Sequence, residues 1–297
     1  MITRALNLVP LLLLFLISAC GPEPDSTPVI KRDHAVISYT DSGGDGATLL
    51  FVHGLNIDKS YWSEQVRYFS PDYRVVTIDL PGHGQSGKDR PHWTLRGYAG
   101  DVYTVIKKLD LKNVILIGHS MAGDINLMAA TYRPKNIAGF IGIDNFKSAA
   151  TPLNKKDQRE VDQFMSQLVK DFKGTNELFV RQYLTTPQTP AAVTQQVAAS
   201  FAKADQVITT ELMEDIFRMH AEEARLMPQL KVKMHLINTP VPPTDEAPLK
   251  KFAAKGYRVR EINASSHYPM IENPSELNRL LRETIEQIAR ENDTVRT

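Results

Sequence analysis

Cysteine is almost missing from this chain. Cys20 is the single one, which excludes an internal disulfide and any metal site built on several thiolates. No sign of charge prevails either. The 35 Lys and Arg residues face 34 Asp and Glu residues, leaving a formal charge of +1 with no long run of one sign. That pattern lacks the basic footprint of a nucleic-acid binder and leaves a small molecule as the better partner. No apolar stretch reaches the roughly 20 residues of a membrane-spanning helix. The longest, residues 5–19, is broken by Asn7, Pro10 and Ser18. Internal repeats, low-complexity tracts and metal-ligand spacings are absent from the sequence. With 297 residues, 42% of them hydrophobic, the chain can bury a core that needs no covalent staple.

The N-terminus has the order of a secretory signal: a positive Arg4, a short apolar run and small residues at its end. Its last residues, Ile17-Ser18-Ala19-Cys20, resemble the lipobox of bacterial lipoproteins. That resemblance implies cleavage before Cys20 and a diacylglyceryl group on its thiol, hence a lipid anchor to a membrane. Gly21 rather than Asp after the cysteine is similar to the outer-membrane sorting signal of Gram-negative lipoproteins, which implies the periplasmic face of the outer membrane in the bacterial cell envelope. Residues 1–19 are thus read as the signal and residues 20–34, rich in Pro and charge, as the lipidated Cys and a flexible tether.

Beyond residue 35, short β-rich runs alternate with helical patterns. The runs lie at 48–53 (TLLFVH), 74–79 (RVVTID), 114–118 (VILIG), 137–143 (IAGFIGI), 232–238 (VKMHLIN) and 257–262 (YRVREI). Several are apolar throughout, as strands covered on both faces are. Residues 35–39 (AVISY) read as an antiparallel strand leading in. Helical periodicity falls at 62–69, 95–109, 121–132 and 275–290. The alternation predicts an α/β fold with a doubly wound, mostly parallel sheet. Residues 147–230 interrupt it with helical stretches alone, too long a segment for a structureless loop. They read as a helical cap over the carboxyl edge of a core made from residues 35–146 and 231–297.

The strongest chemical signal is Gly118-His119-Ser120-Met121-Ala122-Gly123, between a strand run and a helix run. A serine there sits on a tight turn, with its hydroxyl pushed out at a helix N-terminus whose N–H groups favour negative charge. With this elbow, the chain resembles the α/β-hydrolase family in three further places. Phe51-Val52-His53-Gly54-Leu55 is similar to the family's segment after its third strand. Asp79-Leu80-Pro81-Gly82-His83-Gly84-Gln85-Ser86 is similar to its next loop, which is structural. Residues 265–274, with His267, Glu272 and Pro274, resemble its H-x-x-x-x-E-x-P signature, although Ser266 stands where the family prefers Gly. These matches span residues 51–274, and the cap then follows the sixth strand of the family's sheet.

The resemblance implies Ser120 as nucleophile, His267 as general base, and the backbone amides of Leu55 and Met121 as an oxyanion hole. It assigns Trp62 to the core and makes His83 a loop histidine; His119, adjacent to the serine in the chain, is expected to point elsewhere. The acid stays open between two residues. Most of the family carries it after the strand at 232–238, where this sequence has a Pro-rich loop and then Asp245. A subset, including haloalkane dehalogenases, carries it one strand earlier, where Asp144 ends the run at 137–143; Asp144 is the first candidate. Asp124, just inside the elbow helix, reads as a polar partner of the site or as a carboxylate stabilising the helix dipole. A serine nucleophile excludes dehalogenase and epoxide-hydrolase chemistry, which uses a carboxylate there. The expectation is hydrolysis of a small or medium carboxylic ester through an acyl-enzyme, with no cofactor and no metal. The alternatives are hydrolysis of a carbon–carbon bond, lactone or thioester, or ligand binding without turnover.

Overall fold

The computed structural model describes residues 27–296, so the signal, Cys20 and the first part of the tether, residues 21–26, lie outside the described residues. Within them an eight-stranded sheet forms from β1 (Val29–Arg32), β2 (Ala35–Asp41), β3 (Thr48–Val52), β4 (Arg74–Ile78), β5 (Val114–His119), β6 (Ile137–Ile143), β7 (Met234–Asn238) and β8 (Tyr257–Glu261). Their spatial order is β1-β2-β4-β3-β5-β6-β7-β8. β2 meets β4 antiparallel, and every pairing from β4 to β8 is parallel. The doubly wound, mostly parallel architecture expected from the sequence is the one observed.

β3, β5 and β7 are buried at every residue, because both faces of the sheet are covered. Alternation sorts their side chains. Leu50, Val52, Val76 and Leu116 face one layer, which includes helices α2 (Leu95–Lys108) and α3 (Ala122–Tyr132). Leu49, Phe51, Val75 and Ile117 face the other, which holds α1 (Ser63–Phe69) and the long C-terminal helix Pro274–Arg296. Trp62 is fully buried there, its ring 5.1 Å from that of Phe51.

The tether reading needs correction at its end. Residues 29–32 are β1, hydrogen-bonded to β2 through a turn at Asp33, whose φ is +50°. Ile30 is buried and the Arg32 guanidinium lies 2.9 Å from Asp101. A four-residue strand with one apolar side chain leaves too weak an alternation to stand out beside the charged residues around it.

Between β6 and β7 the chain is helical: α4 (Lys155–Lys170), α5 (Phe172–Phe179), a π-helical turn (Val180–Leu184), α6 (Ala191–Lys203), α7 (Gln206–Phe217) and α8 (His220–Leu226). The segment is tied to loops at the carboxyl ends of the strands. Thr209 donates to the Asn56 side chain at 2.8 Å, and the amides of Trp93 and Leu95 donate to Glu211 and Asp215. After β7, α9 (Glu246–Phe252) leads to β8, and α10 (Pro269–Glu272) leads to the C-terminal helix, α11.

Candidate active site

β5 runs into Ser120, and the chain turns there at once into α3. Ser120 takes a φ of +54°, a left-handed conformation that costs a non-glycine residue roughly 1–2 kcal/mol. The turn is braced from three sides. The Ser120 amide donates to the Ile143 carbonyl at 3.0 Å, its carbonyl accepts from the Gly123 amide, and the Asn145 side chain donates to the Gly118 carbonyl. The serine hydroxyl is thereby held half-exposed above the sheet.

His267, in the loop between β8 and α10, meets that hydroxyl. Its Nε2 lies 2.9 Å from Ser120 Oγ, and its Nδ1 lies 2.6 Å from Asp144 Oδ2. A carboxylate at Nδ1 demands the proton there, so neutral His267 presents a bare Nε2 that accepts from the serine. Several contacts fix the loop. The His267 amide donates to Leu184 in the π-helical turn at 3.3 Å. Its carbonyl accepts from Nε2 of His119 at 2.7 Å. Glu272 accepts from the amides of Ser266 and Tyr268 and from the Ser266 hydroxyl. The glutamate of the signature is thus a brace for the histidine loop, and Ser266 fills the glycine position with a hydroxyl bonded to it.

Asp144 follows β6 with a φ of +46°. Its Oδ1 accepts from the Thr239 amide at 2.9 Å, the Thr239 hydroxyl at 2.8 Å and Lys147 Nζ at 2.8 Å. Burial by itself would raise this carboxyl, but the hydrogen bonds and charges of His267 and Lys147 outweigh it and hold Asp144 well below the usual carboxylate range. Asp245 is engaged elsewhere, its exposed side chain capping α9 by accepting from the Ala247 amide. Of the two acid candidates, Asp144 is the one brought to His267.

Leu55 follows Gly54, which abuts the serine, and Met121 follows Ser120 in the chain. Leu55 is buried in the turn after β3, and Met121 is buried next to Ser120. Gly54 lies so close that an added Cβ would stand 2.7 Å from His119 Nδ1 and 3.1 Å from Ser120 Cβ. A side chain at 54 would force the turn after β3 away from the elbow. His53 is spent structurally, with Nδ1 2.7 Å from the Gly54 carbonyl and Nε2 accepting from the Leu80 amide. His83 is buried against it and pushed down to about 3 by burial and by His53. Asp79, at the head of the same loop, binds Lys59 and the Gln85 amide.

Three features escaped the sequence reading. His119 does not point away from the site: its ring lies 4.7 Å from that of His267, and burial followed by the His267 charge keeps it well below the ordinary histidine range. Lys147 and Thr239 hold the acid, and their one sequence signal is adjacency to the ends of β6 and β7. Asp124 is read from the sequence as a polar partner of the site or a dipole-stabilising carboxylate, but its partner is not: half-buried, it faces the buried Glu223 of α8, and both carboxyls are raised chiefly by desolvation. A cavity of about 520 Å³ opens beside Asp144, Lys147 and His267, walled by Tyr183, Thr186 and the loop at Pro240. Among the described residues no cluster of three or more His, Cys, Asp or Glu side chains is placed to hold a metal ion.

Comparison with known proteins agrees with this architecture. The model of the alpha/beta hydrolase fold family matches residues 47–217, and the chain belongs to that family. Karrikin insensitive 2 receptor CA of Petunia hybrida is 24% identical over 248 residues, 78% of this chain and 89% of that protein. Among solved structures, a hydrolase from Oleispira antarctica superposes with a TM-score of 0.73 at 18% identity, covering 84% of this chain and 94% of the other. The enol-lactonase of Burkholderia xenovorans LB400 gives 0.73 at 19% identity, covering 87% of this chain and 100% of the other.

Proposed function

We propose that this member of the alpha/beta hydrolase fold family is a serine hydrolase that cleaves a carboxylic ester of small or medium size. The observation that carries the reading is the unbroken hydrogen-bonded relay from Ser120 through His267 to Asp144. In it, Nε2 of His267 removes the Ser120 proton as Oγ attacks the ester carbonyl carbon. The amides of Leu55 and Met121 receive the oxyanion, and Asp144 stabilises the imidazolium that forms. Collapse of the tetrahedral intermediate breaks the C–O bond, and His267 returns its proton to the leaving alcohol. Water, deprotonated by the same imidazole, then frees the acid and regenerates Ser120.

A lactone is an ester closed into a ring, and the same steps open it; a thioester or a carbon–carbon bond beside a ketone needs little more. The helices between β6 and β7, laid over the strand ends, favour a compact substrate over a polymer. In this reading the enzyme hangs from the membrane by a diacylglyceryl group on Cys20, at the periplasmic face of the outer membrane.

The test is hydrolysis of short and medium p-nitrophenyl esters and a lactone by the full chain in detergent, with Ser120→Ala as control. Serine-dependent turnover supports the proposal. A folded wild type that neither turns over esters nor takes a fluorophosphonate on Ser120 defeats it and favours a ligand-binding role. Labelling without ester turnover moves the search to carbon–carbon and thioester substrates. Mass spectrometry of the membrane-extracted N-terminus tests the anchor: an unmodified Cys20 overturns it.

A further inference from the structure

Resting on that reading of the site, we propose that Lys147 is a positioning residue for the reaction, clamping one oxygen of Asp144 so that the other serves His267 alone. The Lys147 ammonium lies 2.8 Å from Asp144 Oδ1, 2.7 Å from the Thr239 hydroxyl and 3.2 Å from the Val241 carbonyl. Its side chain is 13% exposed and that of Asp144 only 5%, so little water competes for the pair.

The donors are complete and directional. The Thr239 hydroxyl gives its proton to Asp144 Oδ1 and accepts from Lys147, closing a three-membered ring of side chains. With the Thr239 amide also on Oδ1, the carboxylate cannot rotate about its Cβ–Cγ bond without breaking three hydrogen bonds. Oδ2 is left with His267. Holding a lysine in one rotamer costs side-chain entropy, which the charge-assisted bond to a desolvated carboxylate offsets. The clamp also joins two strand ends, since Asp144 and Lys147 follow β6 and Thr239 follows β7.

The charge has a second effect. A cation on Asp144 offsets part of the negative charge that faces His267, so removing it strengthens the carboxylate's hold on the imidazolium formed in the reaction. The other titratable groups around this knot are His119 beneath His267, kept neutral by burial; Glu272 and Tyr268 in the histidine loop; Tyr183 across the cavity; and Asp245, whose amide donates to the Lys147 carbonyl. Lys147 is the cation in contact with the acid.

The test follows the rate at which a fluorophosphonate labels Ser120, and kcat and KM on an ester, across pH in wild type, Lys147→Met and Lys147→Arg. Lys147→Met is expected to move the acid limb up by about half a unit to one unit and to lower plateau kcat about tenfold with little change in KM. Lys147→Arg, which keeps the cation, is expected to keep the wild-type limb. A labelled Lys147→Met with an unchanged limb and plateau overturns the proposal. So does an acid limb in Lys147→Arg that moves upward as far as predicted for Lys147→Met, which remains readable if the methionine variant fails to fold. A wild type that is not labelled fails the reading of the site itself, and this proposal with it.

Discussion

His119 donates through Nε2 to the main-chain carbonyl of His267, 2.7 Å away. The residue before the nucleophile thereby holds the residue that activates it. The bond fixes the backbone of the histidine loop, not the reacting nitrogen, so its loss acts through geometry. His119→Ala is expected to lower kcat by about 10- to 100-fold while KM barely moves, the scale of a displacement near 1 Å. Steady-state kinetics on any ester the enzyme accepts checks this. An unchanged kcat would mean that Glu272 and Leu184 hold the loop unaided.

Asp144→Asn is expected to lower kcat by roughly 10³–10⁴. The amide cannot take the Nδ1 proton's bond as the carboxylate does, and His267 loses the tautomer that leaves Nε2 bare. Asp245→Asn is expected to change turnover less than twofold and stability by a few tenths of a kcal/mol, because asparagine caps a helix about as well as aspartate. The two variants measured side by side separate the candidates, and the reverse ranking would reassign the acid.

The parts of this molecule that were legible in the sequence are those that local rules govern. Fully apolar runs such as TLLFV and VILIG announced central strands, because burial on both faces leaves polar residues no place. Ser120 was legible because its turn demands small neighbours within four residues. Asp144 was half legible: its place at a strand end pointed to chemistry, but whether His267 reaches it or Asp245 depends on how the loop after β7 runs. Lys147 and Thr239 had only their adjacency to strand ends to mark them, and the His119 bond had no signal. Thr239 stands 95 residues from the carboxylate it binds, and no periodicity links residues on different strands. The strand β1 was missed for a different reason: four residues beside a charged turn carry almost no pattern, and the pairing with β2 makes it a strand.

Ser120 pays for its exposure in backbone strain, and the strain is measurable. Its φ of +54° is free for glycine and unfavourable for residues with a Cβ. Ser120→Gly and Ser120→Ala are both expected to be inactive. The glycine variant is expected to melt above the alanine variant, by up to about 1 kcal/mol once the greater chain entropy of unfolded glycine is subtracted. Thermal denaturation of the pair decides it; an alanine variant at least as stable as the glycine one would show that the elbow is relaxed by its surroundings.

Asp124 on the elbow helix faces Glu223 on α8, which also accepts from the Ala150 amide at 2.6 Å. Burial first, then the charge of Glu223 and of Asp215 on α7, raises Asp124; burial raises Glu223, against the pull of the Ala150 amide, Asp124 and His220. The two carboxyls therefore favour a shared proton over two negative charges. A carboxyl raised in the folded state contributes stability that is fully present below its unfolded pKa near 4, and that contribution is lost as pH rises through the folded value. The contact between α3 and α8 is accordingly expected to weaken with rising pH, and the melting temperature to fall between pH 5 and pH 8. Asp124→Asn supplies a neutral donor to Glu223 and removes one of the charges. It is expected to narrow that fall and to raise the melting temperature at pH 8 by roughly 2–4 °C, as calorimetry at the two pH values would register. A fall as steep in the variant as in the wild type would place the pH sensitivity elsewhere.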